Sequence, residues 1–194
     1  MEAANGLFGA DLPEGFRYAT AFVSVDEERR LADIIAGIEF ANFEMRGVVA
    51  RRRVAFFGAT YDASLPASGP VPEFLFGLRS RLASWADVEP AAFAMALINE
   101  YQPGAPIGWH RDAPQYDVVA GISLLSSCRM KFRPYVGPRT HAATQGRRRI
   151  STHEITLERR SAYLMTAEAR NAYEHHIPAV TTLRYSITFR TLRS

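Results

Sequence analysis

Cysteine is almost missing. Cys128 stands alone in 194 residues, so no intrachain disulfide can form and a reducing compartment is the expected setting. Long apolar runs are missing as well: no stretch approaches membrane-spanning length. The opening Met1-Glu-Ala-Ala-Asn-Gly-Leu-Phe-Gly lacks the basic start and apolar stretch of a secretory leader, so the expectation is a cytoplasmic protein with no membrane partner. There is little excess charge of either sign. A net +3 and a pI near 9.2 permit a polyanionic partner without requiring one. What the chain does have is core material: 47% hydrophobic and 22% charged residues suit a single domain over 1–194 with a sizeable core.

The first half reads as scaffold with one basic interruption. Residues 1–15 are dotted with Gly and Pro and suggest an irregular lead-in, and alternation predicts a strand over 16–23. Ser24 with Glu27 makes a capping-box signature, followed by Leu31, Ile34, Ile35 and Ile38 on one helical face. A second helix is expected from Pro72, carrying Phe74, Leu75, Leu78, Leu82 and Trp85 inward. Between them lie Arg51-Arg52-Arg53 and then Phe56, Phe57 and Tyr61. Three arginines in a row are either a solvated face or a phosphate-contact surface, and the aromatics beside them are either strand core or platforms for an extruded base. Arg147-Arg148-Arg149, at the end of an expected loop over 135–149, is a second cluster of the same ambiguous kind.

The chemistry is concentrated after residue 94. Strand alternation puts Met95, Leu97, Asn99 and Tyr101 on one face, and the turn Gln102-Pro-Gly-Ala-Pro106 leads to Trp109-His110-Arg111-Asp112. Alternate residues of an extended chain point the same way, so His110 and Asp112 project together while Trp109 faces away. An imidazole and a carboxylate on one strand form half of a 2-His-1-carboxylate triad, the open-sided set that suits Fe(II). Beyond a further strand that alternation predicts over 155–165, the missing histidine is sought in Tyr173-Glu-His175-His176, with His175 preferred and His141, His153 and His176 set aside. In the last strand Leu183, Tyr185, Ile187 and Phe189 alternate with Arg184, Ser186, Thr188 and Arg190. An ordinary strand would turn that polar face to water. Beside a His-x-Asp, two arginines also suit a small dianionic acid, because guanidinium grips carboxylate through paired charge-assisted bonds.

Asn99-x-Tyr101, His110-x-Asp112, His175 and Arg184-x-Ser186-x-Thr188-x-Arg190, in this order and spacing, resemble the AlkB family of Fe(II)- and 2-oxoglutarate-dependent dioxygenases. The resemblance is close over 94–192 and loose before it. It implies an α+β, mainly β fold, a double-stranded β-helix or jelly roll with the N-terminal helices on one outer face. It divides the domain into a helical buttress with a nucleotide-recognition lid (1–93) and a catalytic core (94–194). His110, Asp112 and His175 are implied as the Fe(II) ligands. Arg184 and Tyr101 would hold the far carboxylate of 2-oxoglutarate, Arg190 and Asn99 its metal-proximal end, with Ser186 and Thr188 on the same face. Arg53, Phe57 and Tyr61 lie about where the lid would contact substrate. With O2 as the other co-substrate, the implied reaction is oxidative dealkylation of N-alkylated nucleobases in DNA or RNA, single-stranded or with a flipped base. Aldehyde, succinate and CO2 are the implied products, and no obligate protein partner is implied. One position departs from the pattern. Several family members carry an acidic residue two places past the metal Asp, where this chain has Pro114, with Gln115 or Asp117 as possible replacements. Two alternatives stay open: the same engine acting on a protein side chain or small molecule, and a nucleic-acid-binding module whose metal site is structural.

Overall fold

The computed structural model describes residues 12–45, 48–59, 69–137 and 151–193. Tyr61, His141 and Arg147 to Arg149 therefore lie outside the described residues. The strands are β1 (Phe16–Ala19), β2 (Ala41–Met45), β3 (Val48–Gly58), β4 (Met95–Tyr101), β5 (Ile107–His110), β6 (Tyr116–Leu124), β7 (Cys128–Pro134), β8 (His153–Leu157), β9 (Ala162–Met165), β10 (Tyr173–Ile177) and β11 (Arg184–Leu192). The α-helices are α1 (Val25–Ala36), α2 (Phe76–Ala86) and the short α3 (Ala167–Asn171). A seven-stranded sheet runs β1-β9-β6-β11-β4-β3-β2 and a four-stranded one runs β5-β10-β7-β8, every pairing antiparallel. This is the expected jelly roll.

Helices α1 and α2 cover the outer face of the large sheet. Leu31, Ile35, Leu75, Leu78 and Leu82 pack there against Ala55, Phe57, Ile98, Ile122, Ile187 and Phe189, each large side chain contributing about 1.5–3 kcal/mol by leaving water. The Ser24 hydroxyl accepts the Glu27 backbone N–H at 3.1 Å, so the cap is where it was predicted. The inward stripe is turned slightly from the expected one. Ile34 is 45% exposed, while Glu28 is buried and accepts from Arg159 Nη2 at 2.5 Å and the Leu125 backbone N–H at 2.8 Å. Periodicity of apolar residues could not anticipate a carboxylate that caps a turn from beneath.

Two strand boundaries differ from the sequence reading. β1 stops at Ala19, where a turn with Ala21 at φ 49° diverts the chain into α1. The alternation over 155–165 splits into β8 and β9, which belong to different sheets, with Arg160 at φ 66° in the connection. On the inner face of the large sheet Tyr163 lies across Gly121, its cross-strand partner, so that a Cβ at Gly121 would overlap the phenol ring. Gly121→Ala is expected to destabilise the fold by about 1–3 kcal/mol through this overpacking. The check is a lower urea midpoint at unchanged m-value, and an unmoved midpoint would mean that the ring swings aside freely.

Candidate active site

β11 explains the site because its two faces have different tasks. Tyr185, Ile187 and Phe189 enter the core under the helices, whereas Arg184, Ser186, Thr188 and Arg190 line a cavity of about 110 Å³ between the sheets. All of these side chains are buried. β4, paired in register with Arg184 opposite Tyr101 and Ser186 opposite Asn99, supplies Met95, Leu97, Asn99 and Tyr101 to the same cavity. The small sheet contributes His110 from β5 and His175 from β10, which are direct cross-strand partners.

At the centre, the His110 and His175 rings lie 4.1 Å apart, centre to centre, and His175 Nε2 is 3.7 Å from Asp112 Oδ2. His110 Nδ1 lies 2.9 Å from the Gly108 carbonyl oxygen. A carbonyl can only accept, so Nδ1 carries the proton and Nε2 presents a lone pair to the cavity. Arg190 grips the other oxygen of Asp112, with Nε at 2.8 Å and Nη2 at 2.7 Å from Oδ1. This leaves Asp112 Oδ2 buried, with no hydrogen-bond partner among the described residues. Two neutral imidazoles and an orphaned carboxylate oxygen form a donor set that fits a divalent cation, and a buried anionic oxygen calls for one.

Arg184 is 1% exposed; its Nε donates to Ser123 Oγ at 3.1 Å and its guanidinium lies 5.1 Å from the Tyr101 ring centre. Its Nη1 has no hydrogen-bond partner among the described residues. Asn99 Nδ2 donates to Ser186 Oγ at 3.3 Å, and Arg52 Nε donates to Asn99 Oδ1 at 3.2 Å, which fixes the orientation of the Asn99 amide. Phe56, Met95, Leu97 and Tyr116 give the cavity an apolar chamber, with Ala113 packed alongside. Arg170, buried behind it, donates from Nη2 to the carbonyls of Ala113 and Tyr116 at 2.5 and 2.8 Å and so holds the segment that follows Asp112.

The proposed lid residues need correction. Arg53 and Phe57 share the outer face of β3, away from the cavity: Phe57 is helix-side core, and Arg53 pairs with Glu100 at 2.8 Å and lies over Phe40. Their neighbours Arg52 and Phe56 line the cavity instead. Neither was assigned to it from the sequence, although Glu100, the lone acid on an otherwise apolar face of β4, was a clue to which arginine must turn outward. Ser123 was also missed, hidden in an apolar run. Trp109 and His176 do face away, stacked on one another at 5.1 Å, and His176 Nδ1 is 2.7 Å from the Ile107 carbonyl oxygen. Asp117 is exposed, 3.8 Å from Arg193, and neither it nor Gln115 lines the cavity.

Burial, with its partner His110 close by, lowers the His175 pKa to about 3 despite Asp112, and burial also lowers that of His110. Burial pushes the Asp112 carboxyl up, but Arg190 together with His175, His110 and Arg170 outweighs it and holds the carboxyl well below the usual range. In the unfolded chain histidine protonates near 6.5, so between about 6.5 and 3 the unfolded state takes up protons that the folded state refuses. Stability of the metal-free protein should therefore fall as pH drops below about 6.5, by on the order of 1 kcal/mol per pH unit for each such histidine. Urea melts at pH 7.5 and 5.5 in the presence of a chelator would show this, and equal midpoints would mean that the imidazoles are solvated.

Two packed antiparallel sheets with a two-histidine, one-carboxylate cluster and a buried arginine between them are the arrangement of the jelly-roll class. The model of the 2OG-Fe(II) oxygenase superfamily matches residues 58–190, and the chain belongs to that superfamily. The superfamily is one of oxidoreductases that use Fe(II), 2-oxoglutarate and O2. Its relatives include the mouse tRNA (carboxymethyluridine(34)-5-O)-methyltransferase ALKBH8, 27% identical over 86% of this chain and 24% of the relative. Another is the Arabidopsis thaliana alkylated DNA repair protein ALKBH8 homolog, 25% identical over 81% of this chain and 49% of the relative. The chain therefore spans about a quarter and about half of the lengths of these two relatives. Among solved structures, OsALKBH1 superposes with a TM-score of 0.67 at 14% identity, covering 91% of this chain and 98% of the other. A Pseudomonas putida prolyl-4-hydroxylase follows at 0.61 and 13%, covering 93% and 94%. These relatives agree with the AlkB resemblance of the motifs, and the solved structures bear out the fold.

Proposed function

We propose that the chain oxidatively dealkylates N-alkylated nucleobases in DNA or RNA, with His110, Asp112 and His175 holding Fe(II). The observation that carries this reading is one cavity lined by the buried Arg184, whose Nη1 has no hydrogen-bond partner among the described residues, by the histidine–carboxylate cluster, and by the apolar Phe56, Met95, Leu97 and Tyr116. The naming of relatives as ALKBH8 proteins and an alkylated DNA repair homolog supports the choice of substrate.

Arg184 and Tyr101 take the far carboxylate of 2-oxoglutarate. Asn99, oriented by Arg52, and Ser186 offer polar groups along its length, with Thr188 beside them. Arg190 acts through Asp112, holding Oδ1 so that Oδ2 would be available to the metal. The apolar chamber excludes water and receives the base, the kind of surface an extruded base requires once it leaves its stack. Bound Fe(II), with 2-oxoglutarate and O2, supplies the oxidation that turns 2-oxoglutarate into succinate and CO2 and hydroxylates the N-linked alkyl carbon, whose breakdown releases aldehyde.

The test is formaldehyde release from methylated single-stranded DNA and RNA oligonucleotides, with Asp112→Ala as control. Release that disappears in the control is the expected result. Succinate formed without formaldehyde would mean an oxygenase of proteins or small molecules, a reading favoured by Pro114 at the position where an acid would contact the base. An iron-loaded protein that makes no succinate would be a binding module instead.

A further inference from the structure

The phenol of Tyr163 reaches into the cavity from β9. It is 8% exposed and lines the same space as Arg184 and Tyr101. The side chain does not stand up from its own strand but lies across the neighbouring one: a Cβ on Gly121, its partner on β6, would overlap Cζ, Cε1 and the hydroxyl itself. Glycine leaves that room, and the hydroxyl is thereby carried over β6 in the direction of Thr188 on β11, which pairs with Gly121 from the other side. Phe16 holds the ring in this direction, stacked on it at 6.1 Å between centres and 14° between planes. Burial pushes the phenol pKa up, so the hydroxyl keeps its proton and stays a donor. Yet among the described residues none hydrogen-bonds to it, and a buried hydroxyl without a protein partner calls for one from a ligand.

Arg184 comes over the same strand from the opposite side. Its Nε donates to Ser123 Oγ at 3.1 Å, and Ser123 is the inward-facing residue of β6 next to Gly121, about 7 Å along the strand. The Nη1 of Arg184, without a hydrogen-bond partner among the described residues, and the Tyr163 hydroxyl are therefore two donors above neighbouring positions of β6. A carboxylate has an oxygen for each, and charge-assisted bonds of about 2.7–2.9 Å on either side of it span such a gap. Arg190, level with Val119 on the other side of Gly121, is committed to Asp112, so Arg184 is the arginine left to share an acid with the phenol. We propose that Tyr163 is a co-substrate-binding residue, whose hydroxyl donates to the far carboxylate of 2-oxoglutarate opposite Arg184. The inference rests on the acid-site reading above and adds a donor to Arg184 and Tyr101. It also gives the missing side chain at Gly121 a task in the site, since any Cβ there would push this hydroxyl away.

The test is calorimetric titration of the Fe(II)-loaded protein, without O2, with 2-oxoglutarate and with 2-oxovalerate, which has a methyl group in place of the far carboxylate. Tyr163→Phe keeps the ring and its stacking on Phe16 and removes one donor. Its affinity for 2-oxoglutarate should fall by about tenfold or more, the effect of withdrawing a hydrogen bond from a charged acceptor. Its affinity for 2-oxovalerate should stay that of the wild type. In turnover the KM for 2-oxoglutarate should rise while kcat for succinate is kept, the split expected when a binding contact is lost. The urea midpoint of the metal-free variant should not fall, because no bond to a described residue is broken. An unchanged affinity for 2-oxoglutarate would overturn the proposal, and so would an equal loss for both acids, which would put the hydroxyl at the metal-proximal end. A wild type that bound the two acids equally would overturn the acid-site reading itself. A wild type that prefers 2-oxoglutarate, beside a Tyr163→Phe variant that prefers it just as strongly, would overturn the Tyr163 assignment alone.

Discussion

Asp112→Asn should abolish turnover of 2-oxoglutarate, by at least about a hundredfold, with loss of stoichiometric iron. The carboxylate has two tasks, one for each oxygen. Oδ1 neutralises Arg190, and Oδ2, buried and otherwise unpartnered, is the anionic donor that two neutral imidazoles lack. Asp112 is the anionic member of the proposed ligand set, so removing its charge should weaken the hold on the metal. Removal also leaves Arg190, itself 8% exposed, as a buried cation without its counter-ion. Breaking a buried pair from one side typically costs about 3–5 kcal/mol, so the metal-free variant should also melt well below the metal-free wild type. The two losses can be separated by neutralising both partners. Asp112→Asn with Arg190→Gln removes the stranded charge, so stability should largely return while iron binding and turnover do not. Non-additivity of this kind is what a double-mutant cycle measures. Iron retained by Asp112→Asn, quantified on the purified protein, would remove Asp112 from the metal site.

The phase of alternation decides how much of this site can be read from the chain. On β11 the two faces differ completely, one aromatic and aliphatic, the other Arg-Ser-Thr-Arg, so either assignment of sides leads to the same partition and the structure keeps it. On β4 the partition also holds, because Asn99 and Tyr101 alternate with residues that pack under the helices. β3 is different. Both of its faces carry an arginine and a phenylalanine, Arg52 with Phe56 and Arg53 with Phe57, and the phenylalanines of both faces are buried. A shift of one residue exchanges the faces with no change in hydrophobicity, so a pattern of apolar residues cannot choose between them. What chooses is the long-range pairing of Arg53 with Glu100 across β3 and β4, a contact between residues 47 apart in sequence. The split of 155–165 into β8 and β9 is invisible for the same reason. Alternation continues through the segment, and only the destination of each half, one sheet or the other, shows that the chain has crossed the barrel.

Arg184→Met is the variant whose two consequences run in opposite directions. Arg184 is 1% exposed, yet no carboxylate pairs with it among the described residues: Ser123 takes Nε, the Tyr101 ring lies near the guanidinium, and Nη1 is left over. A buried cation held in this way is costly, and its replacement by an apolar side chain of similar length is commonly neutral or stabilising by about 1–4 kcal/mol. The metal-free Arg184→Met protein should therefore be at least as stable as the wild type in urea. Its KM for 2-oxoglutarate should rise by on the order of a hundredfold, because a charge-assisted bond in a dry pocket contributes about 2–5 kcal/mol when one partner is truncated. Added 2-oxoglutarate should stabilise the wild type in a thermal melt but not the variant, in keeping with mass-action linkage. Arg184→Lys should not rescue, since one ammonium cannot reach both Ser123 and the acid with the planar fork that the guanidinium offers. A variant that lost stability while keeping its KM would make Arg184 a structural residue and move the acid site elsewhere in the cavity. Gain of stability with loss of the co-substrate would mean that the fold carries this cation for the ligand.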